Sequence, residues 1–382
     1  MPHARTGFVP PPYPQDRLAV LAARADEWPG GVIDASVGTP VDPMPEVAAH
    51  ALVEAARAAT GYPPSIGSPA YREAAAAWIE RRFGVRASPD AVIACIGTKE
   101  LVASLPHHLA LRDPSRDTVL YPEVSYPTYA LGATLAGLRA VAVPVDDRWH
   151  LDLSAVHADD AARALVLWLN DPANPTGACA TPDEMLASVA WARGRGIVVA
   201  SDECYAEFTH DSRGEPTAPV TALLAGADGV LAVHSLSKRS NLAGLRAGFV
   251  TGDPALVHYL GEVRRHAGCM VPAPVQAAAA AALADDAHVD EQRARYAARR
   301  ARLTPALAEA DLRSDGGPST FYLWLASSRG EDGWQIAARL AESAGLLVAP
   351  GDLYGTRGAA HARVALSLRD EHVDAVVARL AG

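Results

Sequence analysis

The chain is 382 residues long and 49% hydrophobic, enough to bury a sizeable core and to divide into more than one domain. Its formal net charge is -10 and its basic residues are scattered, which argues against nucleic acid or an anionic membrane as a partner. No run of about eighteen apolar residues is present, and prolines in the N-terminal MPHARTGFVPPPYPQDR fill the place of a signal peptide's apolar core, so a cytoplasmic location is expected.

In chain order, PPPYP predicts an extended N-terminal arm. Beyond it, runs rich in Val, Ile and Leu alternate with Ala-rich segments of helical period, the pattern of a mostly parallel sheet wrapped by helices. The strand candidates are AVIACIG, DTVLYP, RALVLWLN, IVVASDE, GVLAVHS and AGFVTG. Between them, TPDEMLASVAWARGRG predicts a helix capped by Thr181, with proline in its first turn and glycine at its end. The Ala- and Arg-rich stretch from about Pro274 to Ala310 predicts one extended helix. After it, STFYLWLA, LLVAPGD and ARVALSL, with the helical segments DGWQIAARLAESAG and EHVDAVVARLAG, predict a second, smaller α+β domain. The expected division is 1–40 as arm and part of the small domain, 41–280 as the large domain, and 281–382 as the small C-terminal domain.

The four cysteines, Cys95, Cys179, Cys204 and Cys269, lack the paired spacing of a disulfide framework or a zinc knuckle and are read as free thiols, with no metal expected. Of the 34 basic residues only Lys99 and Lys238 are lysines. An amine can lose its proton and attack a carbonyl whereas a guanidinium stays protonated, so Schiff-base chemistry is the leading use for a retained lysine.

The segment VLAVHSLSKRSNLAGLRAGFV carries most of the chemistry. A strand ends at His234, serines stand at 235 and 237, Lys238 follows, and Arg246 precedes the next strand. An amine that forms an imine, beside two hydroxyls and a guanidinium fork for a phosphate, suits a phosphorylated carbonyl cofactor. In isolation S-x-S-K is equally a polar loop with a solvated lysine. In IACIGTKEL a strand runs into Gly97 and a helix starts near Thr98, so free amides face a possible anion. Lys99 in that turn is a phosphate ligand or a surface charge. In IVVASDECY, Asp202 ends an apolar strand with Tyr205 one turn on; it either keeps a pyridine nitrogen protonated or caps the following turn. LWLNDPANPTG is by itself merely good turn chemistry; in a functional reading the Asn174 amide would donate to the ring's phenolic oxygen, assisted by the Tyr205 hydroxyl.

The set GTKE, SYPTY, NPTG, SDECY and SLSKRSNLAGLRAGF, in this order and over nearly the whole chain, resembles the class I/II aminotransferases of pyridoxal 5′-phosphate (PLP) fold type I. That resemblance implies an α/β large domain with a mostly parallel seven-stranded sheet and a smaller α+β domain. It implies that Lys238 binds PLP and shuttles the proton, that Asp202 pairs with the pyridinium, and that Asn174 and Tyr205 bind the phenolic oxygen. Thr98, Lys99, Ser235, Ser237 and Arg246 would hold phosphate, Tyr126 would stack on the ring, and Tyr62 would reach phosphate from a partner subunit in a homodimer with shared sites. Arg363, in ARVALSL, would take the substrate α-carboxylate, with Gly38 in SVGTP allowing close backbone approach. The reaction implied is ping-pong transfer between an amino acid and a 2-oxo acid. Stretches such as SVGTPVDP and RRHAGCMVPAPVQAA resemble the N-succinyldiaminopimelate aminotransferases of lysine biosynthesis most closely. Arg265 and His266 are then candidates for the distal carboxylate, or they cap a helix end. An aminotransferase for another acidic or aromatic amino acid and a carbon-sulfur β-lyase are the alternatives on this fold.

Overall fold

The computed structural model describes residues 8–58, 61–211 and 213–381. A seven-stranded sheet forms the centre, ordered Val92–Cys95, Gly248–Gly252, Val230–Ser235, Val198–Asp202, Ala164–Asn170, Thr118–Pro122 and Arg139–Val143. Only Gly248–Gly252 runs antiparallel to its neighbours, so the sheet is mostly parallel. Val230–Ser235 is buried throughout and Ala164–Asn170 at all but its last residue, as strands covered by helices on both faces must be. The six strand candidates are all in place. The seventh, Arg139–Val143, is the edge strand: its first two residues are exposed and its RAVAV run lacks the apolar density that marked the others.

The helix predicted after Thr181 spans Pro182–Arg193 with a capping box, Thr181 bonding the Glu184 amide and the Glu184 side chain returning to the Thr181 amide. The single long helix expected from about Pro274 to Ala310 is two, Ala273–Ala284 and Ala287–Glu309. The break has a local cause. Asp285 adopts extended backbone, and its carboxylate accepts from the amides of Ala287 and His288 at 3.2 and 3.4 Å, starting the second helix. Arg81 clamps the adjacent Asp286 at 2.7 Å.

The C-terminal part carries a four-stranded antiparallel sheet, ordered Ala349–Pro350, His361–Ala365, Tyr322–Ser327 and Leu312–Ser314. The LLVAPGD segment divides between sheets: Leu346–Leu347 pairs in parallel with Ile33–Asp34, so the N-terminal segment joins this layer. Among the described residues no helix is long and apolar enough to cross a membrane.

Side chains alternate along Val198–Asp202 and beyond, so Asp202 faces one side of the sheet and Glu203 the other. Glu203 is buried; its Oε1 accepts from the Thr221 hydroxyl and the Ala222 amide at 3.0 and 2.9 Å, and its Oε2 lies 3.5 Å from His234 Nε2. Burial pushes the Glu203 carboxyl up to about 8 and the His234 imidazole down to about 3, so the pair is neutral. Retaining the Glu203 proton stabilises the fold fully below its ordinary value of 4.5, and that stabilisation is lost as pH rises through about 8. Keeping His234 neutral acts in the opposite direction, stabilising fully above 6.5 and failing as pH falls toward about 3. Thermal stability is therefore expected to fall as pH is raised from about 5 to about 8, and Glu203→Gln to remove roughly 2–4 kcal/mol of that fall. Asp171, pushed by burial to about 7, titrates in the same window, so part of the slope survives. An unchanged slope in Glu203→Gln, measured by calorimetry across that range, would contradict the assignment.

Candidate active site

The carboxyl ends of the parallel strands open into a cavity of about 810 Å³, the place where open α/β sheets gather ligands. Lys238, Asp202, Tyr205, Asn174, Thr98, Lys99, Tyr126, Ser235, Ser237, Arg246, Gly38 and Arg363 all line it. Tyr62 does not: it is 95% exposed. Of the residues expected to hold the cofactor or the α-carboxylate, only this one stands apart.

Lys238 sits on the short helix Leu236–Arg239 that follows the strand Val230–Ser235, and its amine donates to the Gly38 carbonyl. Burial drives the amine below its ordinary value; the neighbouring Tyr322 hydroxyl opposes this, and the charges of Arg363 and Arg246 reinforce it. An amine so placed is readily neutral, which is the form that attacks a carbonyl or accepts a proton. Asp202 is buried, with Oδ2 accepting from Tyr129 at 2.7 Å and Oδ1 from the Cys204 amide at 3.2 Å. Burial raises its carboxyl, while these donors hold it down.

At one end of the cavity, Ser235 and Ser237 lie beside Arg246 and the first turn of the helix Thr98–Arg112. That helix has Gly97 as its N-cap and no side-chain cap, leaving first-turn amides for a ligand. Gly97 has φ of +70°, and a Cβ there would collide with the Arg246 guanidinium. Arg246, itself left-handed at φ 59°, gives one nitrogen to the Ala243 carbonyl at 2.9 Å and has its others to spare. Two hydroxyls, a guanidinium and uncapped amides around one point make a cradle for a phosphate dianion. The Thr98 hydroxyl accepts from the Cys204 thiol at 3.3 Å. Lys99 donates to the Tyr13 hydroxyl at 2.9 Å and lies 4.8 Å from the Tyr13 ring centre, so the arm residue holds it on the cavity wall.

At the other end, Arg363 is 4% exposed on an interior strand of its sheet, not on a surface edge. It donates to the Asn174 side-chain oxygen at 2.8 Å and to the Ser36 carbonyl at 2.6 Å, and its buried Nε has no partner. Asn174 is fixed in turn, its amide donating to Asn170 Oδ1 at 2.8 Å while Asn170 donates to the Asp202 carbonyl at 3.0 Å.

A family model for aminotransferases of class I and II matches residues 31–380. The chain belongs to that family. Class I/II aminotransferases use PLP, and the cradle, the buried amine and the buried carboxylate in the same cavity fit that cofactor. This aminotransferase is 47% identical to the 4-dedimethylamino-4-oxo-anhydrotetracycline transaminase OxyQ of Streptomyces rimosus, over 97% of this chain and 99% of that one. It is 48% identical to a probable aminotransferase of Mycobacterium tuberculosis, over 97% of this chain and 85% of that one. The solved structure of a probable N-succinyldiaminopimelate aminotransferase from Thermus thermophilus superposes with a TM-score of 0.85 at 32% identity, covering 95% and 98% of the two chains.

Arg265 and His266 are not part of the cavity. Both are exposed in the last turn of the helix Pro254–His266, and Arg265 approaches Glu262 at 3.8 Å, the position of helix-end cations. The sequence reading also missed Tyr129, Tyr322 and Tyr354, which line the cavity. Tyr129 was within reach, standing one turn beyond Tyr126 in SYPTY. Tyr322 and Tyr354 carry no local signal, because only tertiary contact brings them against Tyr205 and Arg363.

Gly97→Ala is expected to weaken PLP binding by about tenfold or more through left-handed strand-to-helix strain and displacement of Arg246. Equilibrium dialysis of the cofactor measures it, and wild-type affinity in the variant would remove Arg246 from the cradle.

Proposed function

We propose that this aminotransferase moves an amino group from N-succinyl-LL-2,6-diaminopimelate to 2-oxoglutarate, in the synthesis of diaminopimelate and lysine. The observation that carries the amino-acid reading is Arg363, a buried guanidinium with an unpartnered Nε that lines the same cavity as the Lys238 amine. Its planar fork suits an α-carboxylate, which places the adjacent α-carbon within the reach of Lys238.

When bound, PLP supplies the electron sink that makes the α-proton removable. Each side chain then has a task. Lys238 accepts the α-proton and returns it on the other side of the transfer. Asp202, held by Tyr129, keeps a positive charge at the ring nitrogen, and Asn174 and Tyr205 donate to the ring oxygen. Tyr126 stacks on the ring, and Thr98, Ser235, Ser237 and Arg246 hold the phosphate. The arm residues Pro11, Pro12 and Tyr13 wall the outer cavity and limit the access of water.

For a long acyl-amino dicarboxylate a further cation is required. The basic side chains lining the cavity are Lys99, Lys238, Arg246 and Arg363, and the last three already have tasks. Lys99, which the resemblance set among the phosphate ligands, donates instead to Tyr13 on the cavity wall and is the group left to meet the remote carboxylate. Similarity to the Thermus thermophilus protein supports this substrate. The tetracycline transaminase relative supports a second reading, a bulky ring ketone as amino acceptor, favoured by the proline and tyrosine walls of the outer cavity. In the dimer reading, Tyr62 and the exposed Val47 and Val53 of the helix Glu46–Ala58 face a second copy of the chain, and Tyr62 reaches its phosphate.

Single-turnover spectroscopy of the holoenzyme tests the substrate. Rapid conversion of bound cofactor to its amine form by N-succinyl-LL-diaminopimelate and by glutamate is expected, with slow conversion by aspartate, alanine and aromatic donors and none in Lys238→Ala. Conversion by another donor alone discards the substrate and keeps the aminotransferase; pyruvate and ammonia from cystathionine would indicate a β-lyase. Lys99→Ala should raise KM for the succinylated donor by about 10-fold to 100-fold, the worth of one charge-assisted hydrogen bond, and leave alanine unaffected.

A further inference from the structure

Tyr322 contacts Tyr205, Arg363 and Gly38 in the cavity. Its hydroxyl lies 2.9 Å from that of Tyr205. Its ring lies 4.1 Å from the Arg363 guanidinium carbon, while the Tyr354 ring lies 4.8 Å from the same atom. Its hydroxyl also packs so closely on the Gly38 α-carbon that a Cβ there would collide with it, and the Gly38 carbonyl is the acceptor of the Lys238 amine. The backbone leaves Tyr322 little freedom. Its amide donates to Thr320 Oγ1 at 3.2 Å, its carbonyl accepts from Arg300 at 3.0 Å, and it is in register with Ala365.

Two phenols hold two protons. Burial and the adjacent Tyr322 hydroxyl push the Tyr205 phenol well above its ordinary value, so Tyr205 remains neutral and has one proton to give. If Tyr205 gave that proton to Tyr322, it could offer the ring oxygen of a ligand nothing. A ligand acceptor in the cavity therefore sets the direction of the pair, with Tyr322 donating. The charged and titratable groups facing the pair are Lys238, Arg363, Cys204, Tyr354 and Tyr296.

We propose that Tyr322 is a positioning residue for both ends of the site: its hydroxyl donates to Tyr205, committing the Tyr205 proton to the cofactor's ring oxygen, and its ring supports Arg363. The inference rests on the reading of Tyr205 given above.

The test compares Tyr205→Phe, Tyr322→Phe and the double variant as holoenzymes, following the pH midpoint of the bound cofactor's visible band. Tyr205→Phe should move the midpoint upward by about one pH unit and Tyr322→Phe by about half as much, the sizes of a lost direct and a lost supporting hydrogen bond. The double variant should match Tyr205→Phe alone, because Tyr322 acts through Tyr205. Tyr322→Phe keeps the ring and should leave KM for the amino donor within about twofold, whereas Tyr322→Leu should raise it about fivefold or more by removing the cation–π face. A wild-type midpoint in Tyr322→Phe beside a shifted one in Tyr205→Phe would overturn the role of Tyr322, as would additive shifts in the double variant. No shift in Tyr205→Phe would sink the reading of Tyr205 and this inference with it.

Discussion

One buried carboxylate holds the architecture around the site. Glu207 is 4% exposed and accepts from Trp78 at 2.8 Å, with the guanidinium groups of Arg82, Arg239 and Arg293 at 2.8, 3.4 and 3.4 Å. A buried charge is tolerable only when paired and bonded, and removing one partner of such a pair costs about 3–5 kcal/mol, a large share of a typical folding free energy. The helices Pro69–Phe83 and Ala287–Glu309 and the turn Leu236–Arg239 therefore meet at one point. Arg239 is the chain neighbour of Lys238. Electrostatic satisfaction of Glu207 thus decides where the reactive amine stands.

A second clamp does the same for the N-terminal segment. Both oxygens of Asp42 accept from Arg299, at 2.7 and 2.8 Å, and Arg299 also reaches Asp370 at 2.8 Å. The segment that carries Ser36 and Gly38 is tied by this means to the long helix, and from there it presents one carbonyl to Arg363 and another to Lys238. Arg363 and Lys238 are consequently tied to one frame, as pre-organised chemistry requires.

Much of this was legible in advance, for identifiable reasons. Buried parallel strands are continuous apolar runs, so six of the seven central strands could be read; the edge strand Arg139–Val143 is half solvated and could not. Thr181 and Gly97 mark helix starts because capping chemistry is local. The break at Asp285 was hidden, since an Asp–Asp pair within an Ala- and Arg-rich run is compatible with either one helix or two until Arg81 is seen to bind Asp286. Arg265 and His266 failed as cavity cations because spacing cannot tell which way a helix end faces.

The sequence by itself determined the alternation of strands and helices, the membership of the chain in a PLP enzyme family, and the residue types at the carboxyl ends of the strands, since each depends on short-range pattern. Only the tertiary structure decided which of two lysines is buried beside the arginines, that Lys99 meets Tyr13 of the arm, and that Tyr322 joins Tyr205 to Arg363. Those contacts link residues far apart in the chain, and side-chain direction and burial across such separations are set by packing, not by local periodicity.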